Sequence, residues 1–215
     1  MSTILAGTLL LTATGLFSQV VGFLYRMALS RLIGAETMGL YQLVMPVYSM
    51  LMSLTAVGLT VAVSTLSARH HALGDNGTVR LVLRRALRCF FLMVFPLGAA
   101  VVLLSDPISV YLLGDARTRL GVALLVPCVL LTGVENLHKH CFYGIGRVRP
   151  PAAAETAEQV IRAGAVLGLL AALLPRTAEQ TVGIVVLGMV LCEVFSACAL
   201  TLLFQRHWKR FPPSP

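Results

Sequence analysis

Charge is what this sequence is short of. No residue from Met1 to Tyr25 carries a formal charge, and none from Thr37 to Ala68 does either. Only 12% of the 215 residues are charged, about half the share usual in soluble domains. Water-soluble helices of such length need a charged face, so an ordinary soluble bundle is excluded. Lys and Arg are also missing ahead of the first apolar run, which is longer than a signal core. No cleavable leader is expected, and that run should persist as a spanning helix. Cysteine is sparse and unpatterned: Cys89, Cys128, Cys141, Cys192 and Cys198 are odd in number with no C-x-x-C pair. They are expected to be reduced packing residues.

Catalytic and cofactor patterns are wanting too. Nothing has the makings of a Ser-His-Asp or paired-carboxylate set, so an enzyme is not expected. His138 and His140 are two residues apart and face different sides of a helix; with Cys141 beside them they make no ligand set, and no metal site is expected. Gly144-Ile145-Gly146 lacks the third glycine and the preceding strand of a nucleotide loop, and no cofactor is expected. No internal repeat or low-complexity tract divides the chain.

What is present is hydrocarbon. Hydrophobic residues make up 57% of the chain and the mean hydropathy is +0.85. A bilayer core of about 30 Å takes about 20 apolar helical residues to cross, and six such segments can be drawn, at about 4–27, 40–68, 87–105, 120–142, 152–174 and 181–204. The expected fold is an all-α polytopic membrane protein, a single lobe of six transmembrane helices over 1–215. The first two segments form a hairpin through the polar turn 33–39. Pro46, Pro96 and Pro127 fall inside apolar runs, where a membrane bundle tolerates them and kinks are expected. The longest connection is expected over 70–84, with a turn at Gly74-Asp75-Asn76-Gly77 and a basic amphipathic lead-in at 79–87. Asn76-Gly77-Thr78 matches a glycosylation pattern by chance. A short interfacial helix is expected at 108–113, and the tail 211–215 cannot continue a helix.

The formal net charge is +8, but the basic residues lie in short connections rather than on one face, so nucleic acid is not expected as a partner. They read as topology signals and contacts to anionic membrane lipids. Arg69, Arg80, Arg84, Arg85, Arg88, Lys139, Arg147, Arg149, Arg206, Lys209 and Arg210 make eleven on one side; Arg26, Arg31, Arg117, Arg119 and Arg176 make five on the other. Both termini are therefore expected in the cytoplasm and the protein in the plasma membrane.

Ionisable groups inside the apolar runs are the candidate functional residues, since a charge at a helix centre costs about 2.5–3.5 kcal/mol on insertion scales. Arg26 either reaches the head groups or holds a substrate anion; Arg31 reads as a head-group contact. Glu158 and Arg162 are spaced i, i+4 and share a helix face, with Glu155, Thr156 and Gln159 extending a polar patch towards the helix's cytoplasmic end. They form either a structural ion pair near the interface or a contact for substrate or a gate. Glu135 and Glu193 lie deeper and are ion-coupling candidates, or neutral acids hydrogen-bonded to a neighbouring helix. Gly164 and Gly168, with Ala171 and Ala172, make a small-residue surface suited to close helix packing.

Specific strings carry a resemblance. Gly7-Thr8-Leu9-Leu10-Leu11-Thr12-Ala13, Gly22-Phe23-Leu24-Tyr25-Arg26, Ser30-Arg31-Leu32-Ile33-Gly34-Ala35-Glu36 and Met38-Gly39-Leu40-Tyr41-Gln42 resemble the opening of the stage V sporulation protein B-like family. Phe142-Tyr143-Gly144, Arg149-Pro150-Pro151-Ala152 and Glu158-Gln159-Val160-Ile161-Arg162 resemble its fourth-to-fifth helix junction. That family is the polysaccharide-exporter branch of the superfamily that holds lipid II flippases and MATE multidrug exporters. The resemblance implies an alternating-access flippase for a polyprenyl-linked oligosaccharide or peptidoglycan precursor. It implies two lobes of which this chain supplies one, so a second lobe is an expected partner and the chain alone is an incomplete transporter. It also implies a substrate site on the first helix and the fifth, at Gln19, Tyr25, Arg26, Glu158 and Arg162. Lipid II flippases have arginine where Gln19 and Tyr25 stand here, and Arg26 comes one residue later, about 100° around the helix. A cation-coupled multidrug exporter and a non-transporting membrane fragment are the alternatives.

Overall fold

A computed structural model describes residues 2–174 and 177–208, with side chains described within 7–207; the tail 211–215, with Arg176, Lys209 and Arg210 of the charge count, lies outside the described residues. Every regular element among the described residues is helical: α1 (Ser2–Met52), α2 (Gly58–Ala72), α3 (Asn76–Leu103), the single turn α4 (Ser105–Pro107), α5 (Arg119–Gly144), α6 (Arg149–Leu173) and α7 (Ala178–Trp208). A π-helical turn, Ser53–Val57, joins α1 to α2.

At 51 residues, α1 would be about 77 Å long if straight, over twice a bilayer core. It is broken at Gly34, where φ is 77° and ψ 169°, a backbone that glycine adopts without strain. The chain reverses there. A Cβ built on Gly7 would lie 3.7 Å from Val148, and Ser67 Oγ is 3.5 Å from Cys141 Sγ, both near the α5–α6 junction. Glu36, just past the break, instead pairs with Arg117 at the start of α5. Residues 7–33 and 35–72 are thus antiparallel passes, and with α3, α5, α6 and α7 the described residues make six. The five stretches apolar and long enough to cross a membrane include 7–72 as one unbroken 66-residue run, which its reversal divides in two. The protein is an all-α, multi-pass membrane protein.

Two expected connections shrink. The turn 33–39 is one non-helical residue within a helix. The expected connection 70–84 is only 73–75: Gly74 takes a positive φ of 77° and closes α2, and Asp75 caps α3 at once by accepting from Thr78 N at 3.0 Å. The basic lead-in 79–87 is the opening of α3 itself, because Val79, Leu83, Ala86 and Phe90 repeat at helical spacing and are all buried. The short element expected at 108–113 is a π-helical turn over Ile108–Leu112.

The second pass also absorbs its own irregularity. Thr55 Oγ1 donates to Leu51 O at 2.7 Å and Thr60 Oγ1 to Val57 O at 2.8 Å, so hydroxyls satisfy carbonyls that the wide turn leaves loose. Helix α5 sits at the centre, packed on α2, α3 and α7. Missing side chains allow the approach: a Cβ on Gly133 would stand 2.0 Å from Phe90 Cζ, and one on Gly98 2.6 Å from Val126 Cγ1. Leu29, Val166, Leu170 and Val185 form a smaller cluster that ties the first pass to α6 and α7. The small-residue surface of α6 behaves otherwise. Gly164 and Gly168 are exposed and a Cβ on either would touch nothing within 4 Å, so that stripe packs on no helix of this lobe. All five cysteines are free thiols.

The Gly34 end of the bundle carries its own charges. Arg117 pairs with Glu36 and, at 2.8 Å, with Asp115, while Arg119 meets Asp106 at 2.9 Å. The Arg117 side chain and backbone amide hydrogen-bond the Asp115 carboxyl and hold it below its ordinary range. At the opposite end, hydrogen bonds from the Thr78 hydroxyl and amide do the same for Asp75.

Candidate functional site

Helical periodicity builds a cavity of about 590 Å³. The first pass turns Gly15, Ser18, Gln19, Gly22, Tyr25 and Arg26 towards it, and the second Met38, Tyr41, Gln42 and Met45. Both sets repeat at i, i+3, i+4, i+7, one face of a helix. Helix α6 adds Glu155, Gln159 and Arg162, again on one face, and α7 adds Met189. In a bundle this apolar, a wall of two arginines, three amides and two tyrosines is a place for a polar guest. Tyr41 spends its hydroxyl on Met189 Sδ at 3.7 Å, whereas the buried Tyr25 hydroxyl has no partner among the described residues. Arg26 is exposed and makes no ion pair among the described residues.

Beneath the cavity floor lies a second layer. Lys139 Nζ pairs with Glu135 and, at 3.2 Å, with Glu158; Arg162 Nη2 pairs with Glu158 and, at 2.8 Å, with Glu193. The side chains of Glu135 and Glu193 are 1% exposed, that of Glu158 8% and that of Lys139 12%, against 22% for Arg162. Arg162 is therefore shared, lining the cavity and holding two buried carboxylates. One oxygen from each of Glu135, Glu158 and Glu193 lies within 4.8 Å of the others. The Lys139 ammonium and the Arg162 guanidinium occupy the flanks of this group, so its main counter-cations are built into the chain. Burying such charges is tolerable only because each is paired.

The candidate residues divide accordingly. Gln19, Tyr25, Arg26 and Arg162 meet on the cavity wall; Glu158, Glu135 and Glu193 converge below it. Arg31 is not on the wall. Thr156 leaves the expected polar patch, its hydroxyl turned back to Ala152 O at 2.9 Å, and lines an apolar groove between α6 and the first pass. Glu158 lies nine residues into α6, about 14 Å along the axis, so the Glu158–Arg162 pair is deep rather than interfacial. Lys139 is the main correction. Counted as a loop charge, it is a buried cation of α5, one turn from Glu135, a spacing visible in the sequence. Tyr41 and Gln42 join the wall unannounced, though their spacing with Met38 and Met45 is helical, while Gln159 of the expected polar patch reaches it too.

Six helical passes, four of them lining an arginine-bearing cavity with a paired charge network under it, define a multi-pass membrane protein with a polar cavity inside its apolar bundle. The chain belongs to the polysaccharide biosynthesis protein family, whose model matches residues 4–214. It is 28% identical over 203 residues to stage V sporulation protein B of Bacillus subtilis, covering 94% of this chain and 39% of that protein. It is 23% identical over 170 residues to the lipid II flippase MurJ of the same organism, covering 75% of this chain and 31% of that one. The chain thus spans well under half the length of these relatives. No solved structure matches it.

Proposed function

We propose that this chain is one lobe of a flippase that moves a lipid-linked oligosaccharide or peptidoglycan precursor by alternating access. The observation that carries the reading is the pairing of Arg26 and Arg162 on one polar cavity wall inside an apolar bundle. Two guanidiniums suit the phosphates of a pyrophosphate-linked sugar, by charge-assisted hydrogen bonds. The amides and the free Tyr25 hydroxyl suit its sugar hydroxyls. The apolar groove alongside, walled by Leu10, Ala153, Ala157 and Val160, fits hydrocarbon such as a polyprenyl tail. Family membership and the flippase among the relatives support the same reading.

Two features support a second lobe as partner: the chain covers only 39% of its sporulation relative, and the Gly164–Gly168 stripe on α6 has no helix against it. Both termini face the cytoplasm in this reading. Removing buried Lys139 from the count of eleven leaves ten basic residues against five, and the bias keeps its sign. Cysteine labelling that put Arg84 and Arg147 positions on opposite sides of the membrane would overturn this topology.

The deciding experiment is movement of a fluorescent polyprenyl-pyrophosphate sugar across vesicles containing the chain, alone and with its companion lobe. Arg26→Ala should slow it about tenfold or more, the loss of one charge-assisted contact. A cation-coupled multidrug exporter would instead ignore Arg26→Ala and fail with Glu193→Gln or Glu135→Gln. No transport in any combination would leave the chain a non-transporting membrane fragment.

A further inference from the structure

The buried charges form a ring with an odd number of members. From Glu135 the contacts run to Lys139, then Glu158, then Arg162, then Glu193. Signs alternate through those four contacts. The step that closes the ring joins Glu193 to Glu135, two carboxylates with oxygens within 4.8 Å of each other. No arrangement of three acids and two bases in a ring avoids one such contact. Among the described residues Glu135 Oε2 and Glu193 Oε2 are also buried with no hydrogen-bond partner, the nearby Thr132 hydroxyl donating to Cys128 O, although buried oxygens are seldom left so. One proton resolves both defects. It turns one carboxylate into a donor to the other, and it brings the ring's net charge from −1 to zero.

We infer that Glu135 and Glu193 hold a single shared proton, and that an anionic head group drawn to Arg162 from the cavity binds together with it. The second half rests on the reading of the cavity as a head-group site; the first does not. Arg162 is the link, since its guanidinium lines the cavity and also holds Glu193. An anion that shares the guanidinium weakens its hold on Glu193, and the carboxylate takes up a proton from water. The other titratable groups facing the ring are Tyr25, Tyr41 and Tyr48 of α1, Cys128, His140 and Tyr143 of α5 and Cys192 of α7. Phenols and thiols are ordinarily neutral near pH 7 and His140 neighbours the cation Lys139 rather than a carboxylate, so Lys139 and Arg162 are the ring's fixed cations. One linked proton makes anion affinity rise as pH falls, by at most about tenfold per pH unit.

Infrared difference spectra of the full chain in vesicles, from about pH 5 to about pH 9, test the proton directly. The expected result is a carbonyl band of one protonated carboxylic acid that titrates in this range and is lost or displaced in Glu193→Gln and in Glu135→Gln. No band at any pH overturns the inference, as does a band indifferent to both substitutions or one that sodium abolishes at fixed pH. The wild-type titration stands even if a variant fails to insert. Titration calorimetry with farnesyl pyrophosphate, in buffers of different ionisation heat, then counts linked protons. Uptake of between zero and one proton per molecule bound is expected, approaching one above the midpoint of the wild-type band and falling to none in Glu193→Gln. Binding without proton uptake removes the link to Arg162. Absence of binding with the band intact sinks the cavity reading and leaves the shared proton in place.

Discussion

Two clusters in this molecule have the same charge inventory, three acids and two bases. One is the interior ring of Glu135, Lys139, Glu158, Arg162 and Glu193; the other is Glu36, Asp106, Asp115, Arg117 and Arg119 at the Gly34 end. They differ in what surrounds them. In the ring the side chains are 1–22% exposed, whereas the rim pair Arg119–Asp106 is 61% and 62% exposed. Water screens the rim charges one by one, so each pair is dispensable. In the interior the loss of either cation strands a buried carboxylate, Glu135 or Glu193, so the ring acts as a unit. Identical chemistry becomes decoration in one place and a constraint in the other.

The sharpest way to break this comparison is Arg162→Ala, which leaves the buried Glu193 without its cation. It should cost about 3–5 kcal/mol in a reversible unfolding assay in detergent, and a loss comparable to that of a rim arginine would sink the distinction. Next comes Gly133→Ala, whose new methyl group meets the Phe90 ring. Overpacking of about 1–3 kcal/mol is expected, with partial recovery in combination with Phe90→Leu; this separates packing around α5 from its charges. Glu193→Gln should cost less than Glu158→Gln in the same assay, because the former removes the surplus negative charge and the latter the bridge between two cations. Arg117→Ala should have the smallest effect of these four, and a smaller one still as salt is added.

Acid provides the mildest test. The Asp75 and Asp115 carboxyls are held below their ordinary range by their hydrogen bonds. Their contribution to stability is complete above the unfolded carboxylate value and is lost only as pH falls through the lower folded one. Thermal unfolding of Asp75→Asn followed into the acid range should therefore converge on wild type; a gap that widens with acid would contradict the cap.

Much of this was legible beforehand. Apolar runs about as long as a bilayer core is thick marked out the six passes, and the i, i+4 spacing of Glu158 and Arg162 announced their pair. Lys139 was misread because it follows Glu135 by one turn but also falls at the end of an apolar run, where position alone reads as a loop. Glu193 meets Arg162 across 31 residues, a distance no local pattern encodes. The cavity face was available in principle, since Ser18, Gln19, Tyr25 and Arg26 keep helical phase, yet which side faces inward depends on packing by α6 and α7. The open Gly164–Gly168 stripe shows the opposite failure: a small-residue motif names a kind of contact and says nothing about who supplies it.

The π-helical turn at Ser53–Val57 has a consequence for how this pass tolerates change in length. Such a turn holds one residue beyond the α-helical complement, so the helix above and below it keeps the phase it would have without that residue. Deleting a single position there should restore a plain helix and leave Tyr41 and Ser67 facing their present neighbours. The same deletion elsewhere in the pass would swing one half against the other by about 100°.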